Sequence, residues 1–217
     1  MHQDLIKHFR EKGFVTIPSV LEDVEVEFYR ELLKDAIKER KQLDKRQLSE
    51  KSLYEQSFIQ CQNLWEDFKD IRELTFDQRI AGIAAKLLGV DRLRIWHDQA
   101  LIKESGGRET DTHHDASYWP IKETNTITAW IPMVAISEHN GHMGFFSGTH
   151  KVKEKRFINI FKGKVGQEEL DKLPQLKGLK PEYVDLKPGD VSFHHGLTFH
   201  NAKPNLSSKD RPVYTII

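Results

Sequence analysis

The sequence predicts a β-sandwich or barrel flanked by helices, on two observations. Apolar residues keep a helical spacing through most of the first ninety positions and alternate with a period of two from near residue 91 onward. The later runs are short and separated by turn residues, with the helical segments gathered before them, which is the element order of a mainly β fold with helices beside it. At 217 residues the chain can form one good core, so a single domain over 1–217 is expected, mainly helical over 1–90 with a β core over 91–217.

Residues 4–12 read as a short helix stopped by Gly13, followed by an extended stretch over 14–17 and a break at Pro18. Leu21, Val24, Phe28, Leu32 and Ala36 hold a helical period up to about Arg40. Thr75-Phe-Asp-Gln78 has the form of a capping box, and behind it Ile80, Ile83, Ala84, Leu87 and Leu88 make a core-facing stripe that ends at Gly89. Leu93, Ile95, His97, Gln99, Leu101 and Lys103 would share one strand face. Residues 104–107 turn the chain and 126–131 read as a strand. His139-Asn-Gly141 is an Asn-Gly turn, and Lys187-Pro-Gly-Asp190 suits a type II turn. Val184 and Leu186, then Val191, Phe193 and His195, alternate as strands do, and 211–217 reads as the last strand. The stretch over 151–181 has little strand pattern and is long for a plain connection, so a lid or binding loop is expected there.

Composition excludes several function classes. Lys plus Arg and Asp plus Glu number 33 each, so no net field draws the chain to nucleic acid or an anionic membrane. The basic stretch over 38–46 is interspersed with acids, as on a solvated helix end. Cys61 is the single cysteine, which excludes an intrachain disulfide and a thiolate cluster and reads as a small buried apolar residue in a reducing compartment. The start lacks the apolar run of a signal peptide, and no stretch approaches the roughly 18 apolar residues of a membrane span. A cytoplasmic protein is expected. Of eleven histidines, eight cluster late, at His113, His114, His139, His142, His150, His194, His195 and His200, a first hint of metal chemistry.

His113 and Asp115 form a His-x-Asp pair. Two apart on a strand, their side chains share a face and can converge on one metal ion. A third ligand from a distant strand would complete a two-histidine, one-carboxylate triad with open cis positions, the mark of non-haem Fe(II) oxygenases. Such pairs also arise by chance, so a zinc hydrolase and a cupin-like metal-binding or sensing protein without turnover stay open. His114 should face the other way and hydrogen-bond, and His139 and His142, flanking a turn, should be exposed. His97 reads as a hydrogen-bonded core histidine, with a substrate-facing role as the alternative.

The C-terminal segment runs from Pro188-Gly-Asp190 through a strand to His200, then Pro204-Asn205, and reaches Arg211 eleven residues after His200. This pattern resembles the phytanoyl-CoA dioxygenase family of Fe(II)- and 2-oxoglutarate-dependent oxygenases. The resemblance extends upstream through 96–103, 112–120, 129–132 and 141–150, and the helix followed by Gly-Phe-Val-Thr-Ile-Pro near the start is also similar. Residues 151–181 match least, and the chain runs only to Ile217 where relatives usually continue somewhat further.

The resemblance implies a double-stranded β-helix, a jelly-roll, cupin-like core with the N-terminal helices packed on one sheet. It implies iron held by His113, Asp115 and His200, since His195 has the wrong spacing to the arginine. It implies that Arg211 pairs with the distal carboxylate of 2-oxoglutarate, which a guanidinium can bind bidentately. Trp130, Gln99 and Lys103 match positions near the co-substrate, a core aromatic and polar edge-strand residues being the plain alternatives. The implied activity is that of a dioxygenase using Fe(II), 2-oxoglutarate and O2 to hydroxylate a small-molecule substrate, releasing succinate and CO2. Asp115 occupies the ligand position that related halogenases leave to chloride, so hydroxylation or another hydrogen-abstraction outcome is expected, with epimerisation and desaturation open. No nucleic-acid or membrane partner is expected.

Overall fold

Gly13 stops the first helix, α1 (Gln3–Lys12), because its φ of +88° is open to glycine and its N–H closes the last turn on the Phe9 carbonyl oxygen at 2.7 Å. The structure, a computed structural model, describes residues 3–161 and 171–217. After α1 come β1 (Phe14–Ile17), α2 (Asp23–Lys41), β2 (Ile59–Gln62), α3 (Leu64–Asp67), α4 (Lys69–Thr75) and α5 (Gln78–Leu88). The strands that follow are β3 (Asp98–Lys103), β4 (Thr110–His113), β5 (Ile127–Pro132), β6 (Met143–Phe145), β7 (Glu182–Val184), β8 (Val191–His195), β9 (His200–Ala202) and β10 (Arg211–Ile216).

Two antiparallel sheets result, one of six strands in the order β1-β8-β5-β10-β3-β2 and one of four in the order β4-β9-β6-β7. Strands far apart in sequence pair in both, with β10 seated between β5 and β3. This is a double-stranded β-helix of the cupin-like, jelly-roll kind.

Alternation along the strands decides what each face of the larger sheet meets. Ala100, Ala129, Ile131, Phe193 and Tyr214 enter a core shared with Phe9, Leu33, Leu64, Leu74, Ile80 and Leu87, so all five helices pack on that face. Their sequence neighbours Gln99, Thr128, Trp130, His194 and Thr215 line a cavity between the sheets. An apolar cluster including Phe14, Met143, Phe145, Leu186 and Val213 fills the rest of the gap, with Phe14 stacked on Phe145 at 4.5 Å. Among the described residues no helix is long and apolar enough to cross a membrane.

Several local expectations fail, each for a tertiary reason. The buried stripe of α2 is Val26, Tyr29, Leu33, Ala36 and Ile37, while Val24 and Phe28 are 72% and 52% exposed. Both stripes have helical spacing, and packing against α4 and the sheet selects one. Thr75 does not cap α5. It is buried at the end of α4, and Asp77 caps α5 by accepting the Arg79 and Ile80 backbone N–H groups. The strand expected from residue 93 begins at Asp98, and β2 lies in a stretch read as helical. His142, expected to be exposed, is buried; it stacks on Tyr183 at 4.6 Å and donates from Nδ1 to Asp185 at 2.9 Å.

Asp98 ties the helices to the sheet. Its carboxylate is wholly buried and accepts the Leu64 and Trp65 backbone N–H groups at 2.8 and 2.9 Å, the Thr75 hydroxyl at 3.1 Å and the Tyr214 hydroxyl. Tyr214→Phe should lower unfolding stability by about 1–3 kcal/mol, the range for leaving a buried acceptor short of a donor; urea titration measures it, and an unchanged midpoint would refute the tie.

A second expectation concerns acid. Burial pulls the His114 and His195 imidazoles down to about 4 from an ordinary 6.5. The unfolded chain therefore takes up protons that the folded chain refuses, so stability is full above about 6.5 and falls as pH drops toward 4. The thermal midpoint followed from pH 7 to 4.5 should decline, and less steeply in His195→Gln.

Candidate active site

β4 and β9 set His113 and His200 directly opposite one another as cross-strand partners. Asp115 lies beyond the end of β4, in the 3-10 turn Asp115–Ser117, and not on the strand as the sequence suggested. His114 between them is still extended, at φ −129° and ψ 139°, so alternation carries past the strand and the carboxylate returns to the side of His113. Ligand-type atoms of His113, Asp115 and His200 lie within 4.8 Å of one another, and Asp115 Oδ1 is 3.6 Å from Nε2 of each histidine.

Backbone contacts choose the tautomers. His113 Nδ1 lies 2.7 Å from the Asp111 carbonyl oxygen and His200 Nδ1 lies 3.0 Å from that of Thr198. A carbonyl only accepts, so each Nδ1 carries the hydrogen, and in the neutral form of each ring Nε2 is the bare atom that faces Asp115. The carboxylate is oriented in the same way: Thr128 Oγ1 and His194 Nε2 both donate to Oδ2 at 3.0 Å, leaving Oδ1 facing the two Nε2 atoms. Burial works against charge on Asp115, but the surrounding histidines hold its carboxyl well below the usual range, His194 through the hydrogen bond it donates to Oδ2. Burial above all keeps His200 neutral. An ionised carboxylate and neutral imidazoles are the states that bind a metal. A divalent ion fits this donor set, and all three residues line the cavity.

That cavity, about 560 Å³, also receives Arg211, the first residue of β10. Arg211 is 3% exposed, its guanidinium sits 5.2 Å over the Trp130 ring, and its Nε and Nη1 have no hydrogen-bond partner among the described residues. Burial pulls its pKa down to about 9, with no counter-charge to offset the loss of water. Gln99 lines the same space, across β3 and β10 from Thr215. Lys103 pairs with Arg211 in the register, yet its ammonium donates to the Arg108 carbonyl at 2.6 Å and the Thr110 hydroxyl at 3.2 Å and is not among the lining groups. Burial, then the Arg211 charge, pushes that ammonium well below its ordinary value.

Of the remaining histidines, His114 is buried and accepts the Arg156 N–H at 2.9 Å, as its parity implied. His97 lines the cavity while bonding the Asp98 carbonyl. His194 and Thr128 were overlooked, although parity could have found them: with Phe193 and Ala129 facing the helices, their neighbours His194 and Thr128 must face the cavity, and the register places the two opposite each other. Of the stretch over 151–181, Ile160 and Phe161 line the cavity, and residues 162–170 lie outside the described residues.

Fold and site together define a cupin-like jelly roll that carries a two-histidine, one-carboxylate cluster beside a buried arginine. The chain belongs to the phytanoyl-CoA dioxygenase (PhyH) family, whose model matches residues 9–213. A phytanoyl-CoA dioxygenase domain-containing protein 1 homolog from Caenorhabditis briggsae is 26% identical over 153 residues, 67% of this chain and 52% of that protein. The chain spans about half the length of the curated relatives it matches. Among solved structures, the non-haem alpha-ketoglutarate-dependent carbocyclase SnoK from nogalamycin biosynthesis is 25% identical with a TM-score of 0.85, covering 100% of this chain and 83% of that one. The alpha-ketoglutarate-dependent epimerase SnoN from the same biosynthesis is 26% identical with a TM-score of 0.77, covering 99% and 80%.

Loss of the hydrogen bond from His194 should loosen the carboxylate without removing a ligand. His194→Leu is expected to weaken Co(II) binding by about 10–100-fold, the usual effect of removing a group that orients a ligand, and Asp115→Ala should weaken it further. Titration followed by the Co(II) visible spectrum tests both, and equal affinities across the three proteins would contradict the cluster's role.

Proposed function

We propose that the chain works as one oxygenase domain, an Fe(II)- and 2-oxoglutarate-dependent dioxygenase that hydroxylates a small molecule. A substrate C–H, 2-oxoglutarate and O2 give the alcohol, succinate and CO2. The observation that carries this reading is Arg211, a buried guanidinium without an anionic partner among the described residues, in the cavity that the three-ligand cluster faces. A buried charge is stable only when paired, and the distal carboxylate of a bound co-substrate pairs it. Membership of the family, and the alpha-ketoglutarate dependence of SnoK and SnoN, support the same co-substrate.

In this reading His113 and His200 hold iron through Nε2 and Asp115 holds it through Oδ1, while Thr128 and His194 keep Oδ2 turned away. Iron held there would supply the O2 chemistry. Arg211 anchors the far carboxylate through paired N–H groups, and Trp130 limits its tilt. Lys103 supports the pocket from behind through Arg108 and Thr110. Of the described part of the segment over 151–181, Ile160 and Phe161 cover the cavity and exclude water from the reacting atoms. SnoK and SnoN, a carbocyclase and an epimerase, favour a second outcome in which hydrogen is abstracted and no hydroxyl is returned. Product mass separates the two, since only hydroxylation adds an oxygen.

Arg211→Ala should weaken 2-oxoglutarate binding by about two to three orders of magnitude, the equivalent of roughly 3–5 kcal/mol for a broken buried pair. Arg211→Lys should fall between, keeping charge without the fork. Anaerobic titration of the Fe(II) protein, read by its metal-to-ligand charge-transfer band, measures this. Parent-like affinity in Arg211→Ala would remove the co-substrate assignment.

A further inference from the structure

The cavity has two unlike halves. Its floor holds Asp115 and Arg211, and among the described residues that line it these are the only Asp, Glu, Lys or Arg side chains. That exclusion is pronounced in a chain with 30% of such residues. The mouth, marked by Trp96 and Phe161 at 43% and 50% exposure, is lined by rings and amides. Tyr54 and Tyr118 both meet Phe161, with centroids 4.6 and 5.7 Å apart, and His97 meets the edge of Trp119 at 6.5 Å.

The amides are ordered. Register places Gln62 across from Gln99 and Gln60 across from Leu101, so all four share the inner face of β2 and β3. The Tyr54 hydroxyl donates to Gln60 Oε1 at 3.2 Å and Gln60 Nε2 donates to Gln99 Oε1, which leaves the Gln99 amide nitrogen as the donor at the end of the chain. Asn63 adopts a left-handed φ of 54° at the start of α3, yet its side chain makes no capping hydrogen bond and lines the cavity. His97 Nδ1 donates to the Asp98 carbonyl at 3.2 Å, so its Nε2 is a bare acceptor.

We propose that this outer half binds an uncharged, flat ring compound bearing hydroxyl or carbonyl groups, taken as the free molecule and not as a coenzyme A thioester. Aromatic side chains offer faces and edges that pack on a flat ring, while the Gln99 donor and His97 acceptor match oxygen substituents at its rim. A charged substrate would leave water for a wall with no counter-charge, and a thioester would bring several phosphate charges with it. The proposal rests on the oxygenase reading for one point, that the floor belongs to metal and co-substrate.

The test is calorimetric titration of the metal-free full chain at pH 7 with three probes: 2-naphthol, phenyl β-D-glucoside and hexanoyl-CoA. The first two compare a fused aromatic with a single aromatic ring that carries a sugar. At least one should bind, Trp119→Ala should weaken that binding by about tenfold, and hexanoyl-CoA should bind more weakly than either. His97→Leu serves as the second variant, with the same direction expected, if Trp119→Ala does not fold. Failure of both ring probes, preference for hexanoyl-CoA, or ring binding indifferent to these substitutions overturns the proposal. Since no 2-oxoglutarate is present, the outcome is separate from its titration. Ring binding in a protein that never binds 2-oxoglutarate sinks the oxygenase reading, and 2-oxoglutarate binding with hexanoyl-CoA preferred sinks only the substrate class.

Discussion

A carboxylate cut off from water holds this architecture together. Asp98 opens β3 and receives two backbone N–H groups from the start of α3, a hydroxyl from the end of α4 and a hydroxyl from β10. Burying such a group is tolerable only with its acceptor sites filled, so four segments must meet at one place. Because β10 also carries Arg211, the position of the cavity floor follows from that meeting point.

The site divides its labour between the two sheets. The smaller sheet contributes His113 and His200 as a cross-strand pair, whose imidazoles are aimed by their own backbone neighbours. The larger sheet contributes Arg211 and Trp130, together with Thr128 and His194, which aim the carboxylate of Asp115. Each sheet therefore sets the orientation of groups whose chemistry depends on the other, and the spacing between sheets becomes the spacing between metal ligands and anion anchor. The apolar cluster of Phe14, Phe145, Met143 and Val213 acts as the spacer.

What was legible in the sequence was whatever depends on short spacing. The interval from His200 to Arg211, the His-x-Asp pair, the Gly13 stop and the Pro-Gly turn before Asp190 are all local, and each reappears in the structure. What misled was local pattern overruled by distant contacts. α2 offers two apolar stripes and only packing selects between them. Thr75 has capping chemistry but is drawn to Asp98 and Tyr214. β2 is four residues long and polar on its inner face, so nothing in its composition announces a strand. His194 needed the strand parity of β8 to be read together with that of β5.

The placement of β10 has a consequence for how the molecule is assembled. It follows every other described strand in the chain, yet it pairs with β3 on one side and β5 on the other, in the interior of the larger sheet. A ribosome delivers residues in order, so His113, Asp115 and His200 emerge before Arg211. A growing chain must keep a gap open between β3 and β5 until β10 arrives to fill it. Pairings of such long sequence separation form slowly and leave unpaired edges exposed meanwhile. The anion anchor is thus delivered after all three metal-ligand residues, and inserting β10 between β3 and β5 and placing Arg211 in the pocket are a single event.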